Sequence, residues 1–149
     1  MTEGRKILAL DYGSRTVGTA VCDQFHITVT ELEIIRRDNE NHLRKTLRRI
    51  EELVREHGAE EIVLGYPLNM DGSEGERAEK TREFRDMLVS RLDIPVILHD
   101  ERLTTVEAEE LMTMRGIRRE DFGRYVDMVA AGVILRDYLG AQNGSSRKE

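Results

Sequence analysis

The chain has no tryptophan, one cysteine and two prolines in 149 residues. A single thiol, Cys22, excludes an internal disulfide and any cysteine-based zinc site, and it reads as a small core residue on a strand. Aromatic residues make up 5% of the chain, which leaves few rings to stack on the bases of single-stranded nucleic acid. No apolar run reaches bilayer length, and MTEGRK is not followed by an apolar signal core. A cytoplasmic protein with no membrane partner is therefore expected. Acids outnumber bases, 29 Asp and Glu against 23 Lys and Arg, for a net charge of -6. That balance argues against a broad basic footprint for duplex nucleic acid. No internal repeat is visible.

What is present is ordinary globular material, 39% hydrophobic and 35% charged. The length suits one domain, expected over 1–140, with a Gly/Ser-rich charged tail over 141–149 expected to be disordered. The bases are not spread evenly. They crowd between Arg36 and Arg55 and again between Arg115 and Arg124, while acids dominate between Glu74 and Glu110. A helix rich in both signs usually presents a solvated face, and that is the expectation for the first cluster.

The chain opens on KILALDYGSRTVGTAVC. Ile7 to Leu10 reads as a strand buried on both faces, and Val17 to Cys22 as a second strand returning beside it. Asp11 thus stands at the mouth of a core strand, where it must be paired, cap the turn or hold a cation. Ile27 to Arg36 reads as a third strand. Asp38 or Asn39 is placed to cap a helix from about Glu40 to His57, with Leu43, Leu47, Ile50 and Val54 as its core stripe and Gly58 as its stop. Glu61 to Gly65 is a short buried strand. Strand, long helix and strand imply a right-handed crossover, so this fourth strand runs parallel to the first.

The loop from Tyr66 to Ser73 leaves the fourth strand at its carboxyl end, where open α/β sheets place ligands, so Asn69 is a candidate substrate contact beside its ordinary role as a turn former. Ser73 with Glu76, and Thr104 with Glu107, have the spacing of capping boxes that open helices. Between those helices, Pro95 to His99 reads as a fifth strand that ends in Asp100 and Glu101. Gly116 is placed to stop the second of the two helices, Ile117 to Gly123 to form a mobile loop, and Arg124 to Leu139 to form a last helix closed by Gly140.

On that last helix, Asp127 falls at the margin of an apolar arc of Val126, Val129, Ala130, Val133 and Ile134. Three acidic positions then converge on one sheet: Asp11, Asp100 or Glu101, and Asp127. Clustered carboxylates raise one another's pKa unless a cation neutralises them, and oxygen-only ligands that leave room for water and phosphate suit Mg²⁺ or Mn²⁺. Such a site can hydrolyse phosphodiesters.

The stretches LALDYGSRTVGTAV, VLGYPLNMDGSEG, HDERLTT and VDMVAAGVIL resemble, in order and in register from about Lys6 to Leu139, the signature blocks of the bacterial YqgF/RuvX family. Members of that family go by the names pre-16S rRNA nuclease and Holliday junction resolvase. The resemblance implies an RNase H-like α/β fold, a five-stranded mixed sheet of order 3-2-1-4-5 flanked by about four helices. It carries the catalytic and metal-ligand roles onto Asp11, Glu101 and Asp127, selecting Glu101 over Asp100. Candidate substrate contacts are Gly13, Ser14, Asn69, Thr104 and Thr105, with Arg15, Arg102, Arg118 and Arg119 as candidates for backbone phosphates.

Two rival readings follow from the same residues. One is a non-catalytic nucleic-acid-binding or regulatory module on this fold, against which all three acids speak. The other is phosphotransfer, since Asp11-Tyr12-Gly13-Ser14 after a strand also resembles the first phosphate loop of the actin and sugar-kinase superfamily, but no second lobe is present. Between nuclease substrates, the acidic total and the weakly basic segment before the last helix favour structured RNA, with precursor 16S rRNA as the expected target and branched DNA as the alternative. A trimming enzyme with few phosphate contacts would be delivered by ribosomal proteins or other processing factors and could act as a monomer. A resolvase implies a homodimer.

Overall fold

The computed structural model describes residues 4–148. The strands are β1 (Ile7–Tyr12), β2 (Thr16–Cys22), β3 (Val29–Arg36), β4 (Glu61–Tyr66) and β5 (Val96–Asp100); the helices are α1 (Arg44–His57), α2 (Glu76–Arg91), α3 (Thr104–Met114) and α4 (Phe122–Lys148). The five strands form one sheet in the expected order β3-β2-β1-β4-β5. β1, β2 and β3 are antiparallel neighbours, and β4 lies parallel to both β1 and β5.

Alternation along β1 assigns the two faces. Leu8, Leu10 and Tyr12 point toward α1 and α2, into a cluster with Leu47, Ile50, Leu53, Phe84 and Leu88. Ile7 and Ala9 point the other way, to Ala20, Val63, Ala131, Ile134 and Leu135 beneath α4. Helix α3 packs on the outside of α4 through Ala108, Met112, Val129, Ala130 and Val133. Cys22 is buried in the core, as expected. Among the described residues no helix is long and apolar enough to cross a membrane.

The departures from the sequence reading are local. β3 begins at Val29 because Asp23 Oδ1 accepts from the backbone N–H groups of Ile27 and Thr28, which turns that stretch and leaves Ile27 exposed. α1 begins at Arg44 without a side-chain cap. Asn39 Oδ1 accepts instead from the N–H of Asn41 in a local turn, so neither Asp38 nor Asn39 caps the helix. On α1, Leu53 is buried and Val54 only partly so.

Neither capping box forms. Ser73 donates its hydroxyl to Asp71 and accepts from Asn69, leaving Gly75 at the N-cap of α2. Thr104 lies inside α3, whose N-cap is Leu103. The expected open loop before the last helix is a short joint: a 3-10 turn at Arg119–Asp121 leads straight into α4, and Ile117 and Phe122 pack on the α3–α4 cluster. Gly140 does not end α4, which runs on to Lys148. A glycine inside a helix costs only about 1 kcal/mol relative to alanine, less than the packing upstream supplies.

Candidate active site at the end of strand β1

Asp11 lies on the same face of β1 as Ile7 and Ala9, so its carboxyl group points toward α4. Both neighbouring strands place a glycine beside it. Gly18 on β2 is its direct partner, and Gly65 follows Leu64, the β4 residue opposite Leu10. Each glycine makes room for a different part of the site. A methyl group at Gly18 would lie 1.9 Å from the carbonyl oxygen of Asp127, so the first turns of α4 rest directly on the backbone of β2. A methyl group at Gly65 would lie 2.8 Å from the carboxyl carbon of Glu101 and 2.6 Å from Ile134 Cδ1.

Glu101 continues the β5 ladder, its N–H donating to the carbonyl of Tyr66 at 3.1 Å. Gly65 pairs with His99 and Tyr66 with Asp100. Strand alternation therefore puts His99 and Glu101 on the α4 face and Asp100 on the opposite one. Asp100 is spent elsewhere, in a 2.9 Å ion pair with Arg102. Register thus selects Glu101, which sequence spacing alone leaves open.

Asp11 and Glu101 stand close enough to act on one another's proton affinity. Burial, and then the negative charge of Asp127, push Asp11 up to about 7; the side chain of Glu101 and the charge of Arg77 work against this rise. Burial, and then the charge of Asp11, push Glu101 up to about 9. Both carboxyl groups of the pair therefore hold a proton more tightly than isolated ones would. Asp127 stands close enough to act on Asp11 but is turned onto Thr16, whose hydroxyl donates to Asp127 Oδ2 at 2.7 Å. The structure brings all three acids to one end of the sheet. Among the described residues, however, no group of three or more His, Cys, Asp or Glu side chains is placed to hold a metal ion.

The expected substrate contacts fall into two groups. Ser14, Arg15, Thr105 and Arg119 are exposed, and Arg119 also lies over the Phe122 ring. The others are already engaged. Gly13 accepts from Arg37 Nη2 at 2.7 Å through its carbonyl. Asn69 holds its own loop through Ser73. Arg102 is tied to Asp100 and to the carbonyl of Met70, Thr104 is buried, and Arg118 pairs with Glu120 and Asp121. A cleft of about 280 Å³ runs past Glu101 between Met70 and Leu103.

Sequence reasoning missed Arg77, Thr16, Gly18 and Gly65. Arg77 is a positive charge felt by both Asp11 and Glu101, anchored by Glu40 at 2.7 Å and by the carbonyl of Tyr12. Thr16 and Asp127 are 111 positions apart, and no local pattern announces such a contact.

A family model described as RuvX: Holliday junction resolvase matches residues 5–141. The protein named "Putative pre-16S rRNA nuclease" of Agathobacter rectalis is 54% identical over 134 residues, covering 90% of this chain and 94% of that protein. The protein of the same name from Lachnospira eligens is 47% identical over 134 residues, covering 90% and 96%. Among solved structures, T. thermophilus RuvC in complex with a Holliday junction substrate superposes with a TM-score of 0.57 at 17% identity, covering 95% of this chain and 97% of that one. Fowlpox virus resolvase in complex with Holliday junction DNA superposes with a TM-score of 0.56 at 12% identity, covering 92% and 98%. At such identities the likeness is one of fold, and the fold is that of the RNase H-like resolvases.

Proposed function

Because the chain belongs to the RuvX family, we propose that it is a nuclease that hydrolyses phosphodiester bonds in structured nucleic acid, with precursor 16S rRNA as its substrate. The observation that carries this reading is the gathering of Asp11, Glu101 and Asp127 at the carboxyl end of the central strand. Placing two carboxyl groups side by side, partly buried and with a third nearby, works against stability, as expected of a site kept for chemistry.

The donor chemistry fits a hard divalent cation, Mg²⁺ or Mn²⁺, which Asp11 and Glu101 would hold, with Asp127 as third ligand once its carboxyl group turned from Thr16 toward them. All three offer oxygen, and a positive charge would offset the repulsion among them. When bound, such a cation supplies Lewis acidity and an activated water. The chain's own residues do the rest. Thr16 orients Asp127, Arg77 provides fixed positive charge beside the carboxyl pair, and Ser14, Arg15, Thr105 and Arg119 meet backbone phosphates. Arg102 and Arg118 join them by exchanging a carboxylate partner for a phosphate.

RNA is favoured over a DNA junction by charge. The net charge is -6, and Arg118, just ahead of α4, is already matched by Glu120 and Asp121. Little cationic surface is left there for two duplex arms. The family description favours the second reading, resolution of Holliday junctions, which requires a homodimer; RNA trimming allows a monomer brought to its site by ribosomal proteins. Incubating the protein with labelled precursor 16S rRNA, duplex DNA and a four-way junction, with Mg²⁺, Mn²⁺ or chelator, tests both. Metal-dependent cleavage of the precursor, abolished by Asp11→Asn, is expected. Paired symmetric nicks in the junction with no action on RNA would replace the first reading by the second.

A further inference from the structure

Helix α1 carries its bases in two different settings. Arg49 is saturated, bonded to Glu33, Glu52 and Glu56 at 2.7 to 3.0 Å. One turn earlier, Arg44 and Lys45 are exposed. Among the described residues they have no ion-pair or hydrogen-bond partner, and neither does the side chain of Arg36 at the end of β3. Together with Arg37, Asp38 and His42 these residues line a pocket of about 420 Å³ at the β3–α1 corner. Asp38 is the one carboxylate among the pocket's lining residues.

Arg37 makes this more than a solvated cationic edge. It is 9% exposed, and among the described residues no carboxylate lies within ion-pair distance of it, the charge of Glu40 acting on it only from farther away. Nε donates to the carbonyl of Glu40 and Nη2 to that of Gly13, while Nη1 is buried with no hydrogen-bond partner. The guanidinium lies 5.0 Å from the centre of the Tyr12 ring, which is itself stacked on Phe84 at 3.9 Å. A buried cation under-satisfied beside several exposed ones is an arrangement that an anion relieves.

The corner also adjoins the carboxyl pair. Arg36 sits opposite Thr16 in the sheet, and the Arg37 N–H donates to the carbonyl of Arg15 at 2.9 Å. Arg37 therefore braces the β1–β2 turn just beyond Asp11.

We propose that this corner is a second phosphate-binding surface, which grips the sugar-phosphate backbone of the nucleic acid through Arg36, Arg44 and Lys45 as the strand runs off the carboxylate site past Arg15. The inference rests on the nuclease reading and extends it to residues outside the cleavage site. It gives an acidic protein one local track for a single strand, in keeping with RNA rather than with two duplex arms.

The test is equilibrium binding of fluorescent single-stranded and duplex oligonucleotides, both RNA and DNA, in chelator so that nothing is cut, across a salt series. The wild type is compared with the triple variant Arg36→Gln, Arg44→Gln, Lys45→Gln and with a charge-matched triple elsewhere, Lys6→Gln, Arg55→Gln, Arg136→Gln. The corner variant should lose at least tenfold in affinity and about 2 to 3 in the slope of log affinity against log salt. The control triple should stay within about twofold, and circular dichroism should show all three proteins folded. Equal losses in both triples, no loss in the corner triple, or displacement by polyglutamate as effective as by oligonucleotide would each overturn the proposal, the last by favouring an acidic protein partner. These outcomes leave the nuclease reading standing if the wild type still cleaves; that reading fails separately if the wild type binds but never cuts with metal present.

Discussion

The two faces of the sheet are built to opposite rules. The face beneath α1 and α2 is filled with Leu8, Leu10, Ile50, Leu64, Phe84 and Leu88, large side chains in apolar surroundings. The sheet face beneath α4 is where the small residues gather, Ala9, Gly18, Ala20 and Gly65 beside Ile7 and Val63, and it ends in carboxyl groups. Large side chains hold layers apart and bury area, and each such group contributes about 1.5 to 3 kcal/mol. Small ones let a helix backbone settle onto a strand, which is how Asp127 is brought to Asp11. One face supplies stability, and the other gives up volume for proximity.

Substitutions on each face test this division. Phe84→Ala should cost about 3 to 5 kcal/mol of stability, read by urea denaturation. Below its lowered midpoint, the pH dependence of stability set by the carboxyl pair should be unchanged. Gly18→Ala should be the reverse case. Its methyl group would meet the Asp127 carbonyl at 1.9 Å, so α4 must shift at a cost of about 1 to 3 kcal/mol, while cleavage falls on the order of a hundredfold because the third acid is misplaced. A Gly18→Ala protein with wild-type cleavage would show that the close approach serves packing alone.

The smallest effect should come from Glu101→Gln, and its size depends on pH. Asp11 and Glu101 have folded-state pKa values raised to about 7 and about 9, so the native state holds protons that the unfolded chain releases. Their stabilising contribution is full below about pH 4, falls as pH rises through those values and is lost above pH 9. Thermal melts without metal should therefore decline from pH 5 to pH 9. Glu101→Gln should flatten that decline and raise the midpoint by a few degrees at pH 8.5, with little change at pH 4.5.

Much of this was legible in the sequence, for physical reasons. Short apolar runs alternating with amphipathic stretches specify strands and helices, and the crossover rule sets β4 parallel to β1, while the full strand order came with the family resemblance. A carboxylate at the end of a buried strand is conspicuous because it breaks a pattern. The capping boxes at Ser73 and Thr104 failed because a local motif competes with nearby partners, as Asp71 and Asn69 show for Ser73. The choice of Glu101 over Asp100 came with the family resemblance, and the pairing of Gly65 with His99 supplies its physical reason. Thr16, Arg77 and the two glycines were illegible because their meaning lies in contacts across the fold, and a glycine in a strand carries no mark of which helix will lean on it.

The resting of α4 on Gly18 also bears on how the molecule is made. Asp11 emerges from the ribosome in the first strand, Glu101 after two-thirds of the chain and Asp127 only with the final helix. Domains fold largely as units during synthesis, and the third acid has no place to dock until β2 is paired and α4 has been completed. Nascent chains therefore carry the first acid long before the site exists. On the proposed reading that all three acids serve cleavage, the nascent chain cannot cut until α4 has docked on β2.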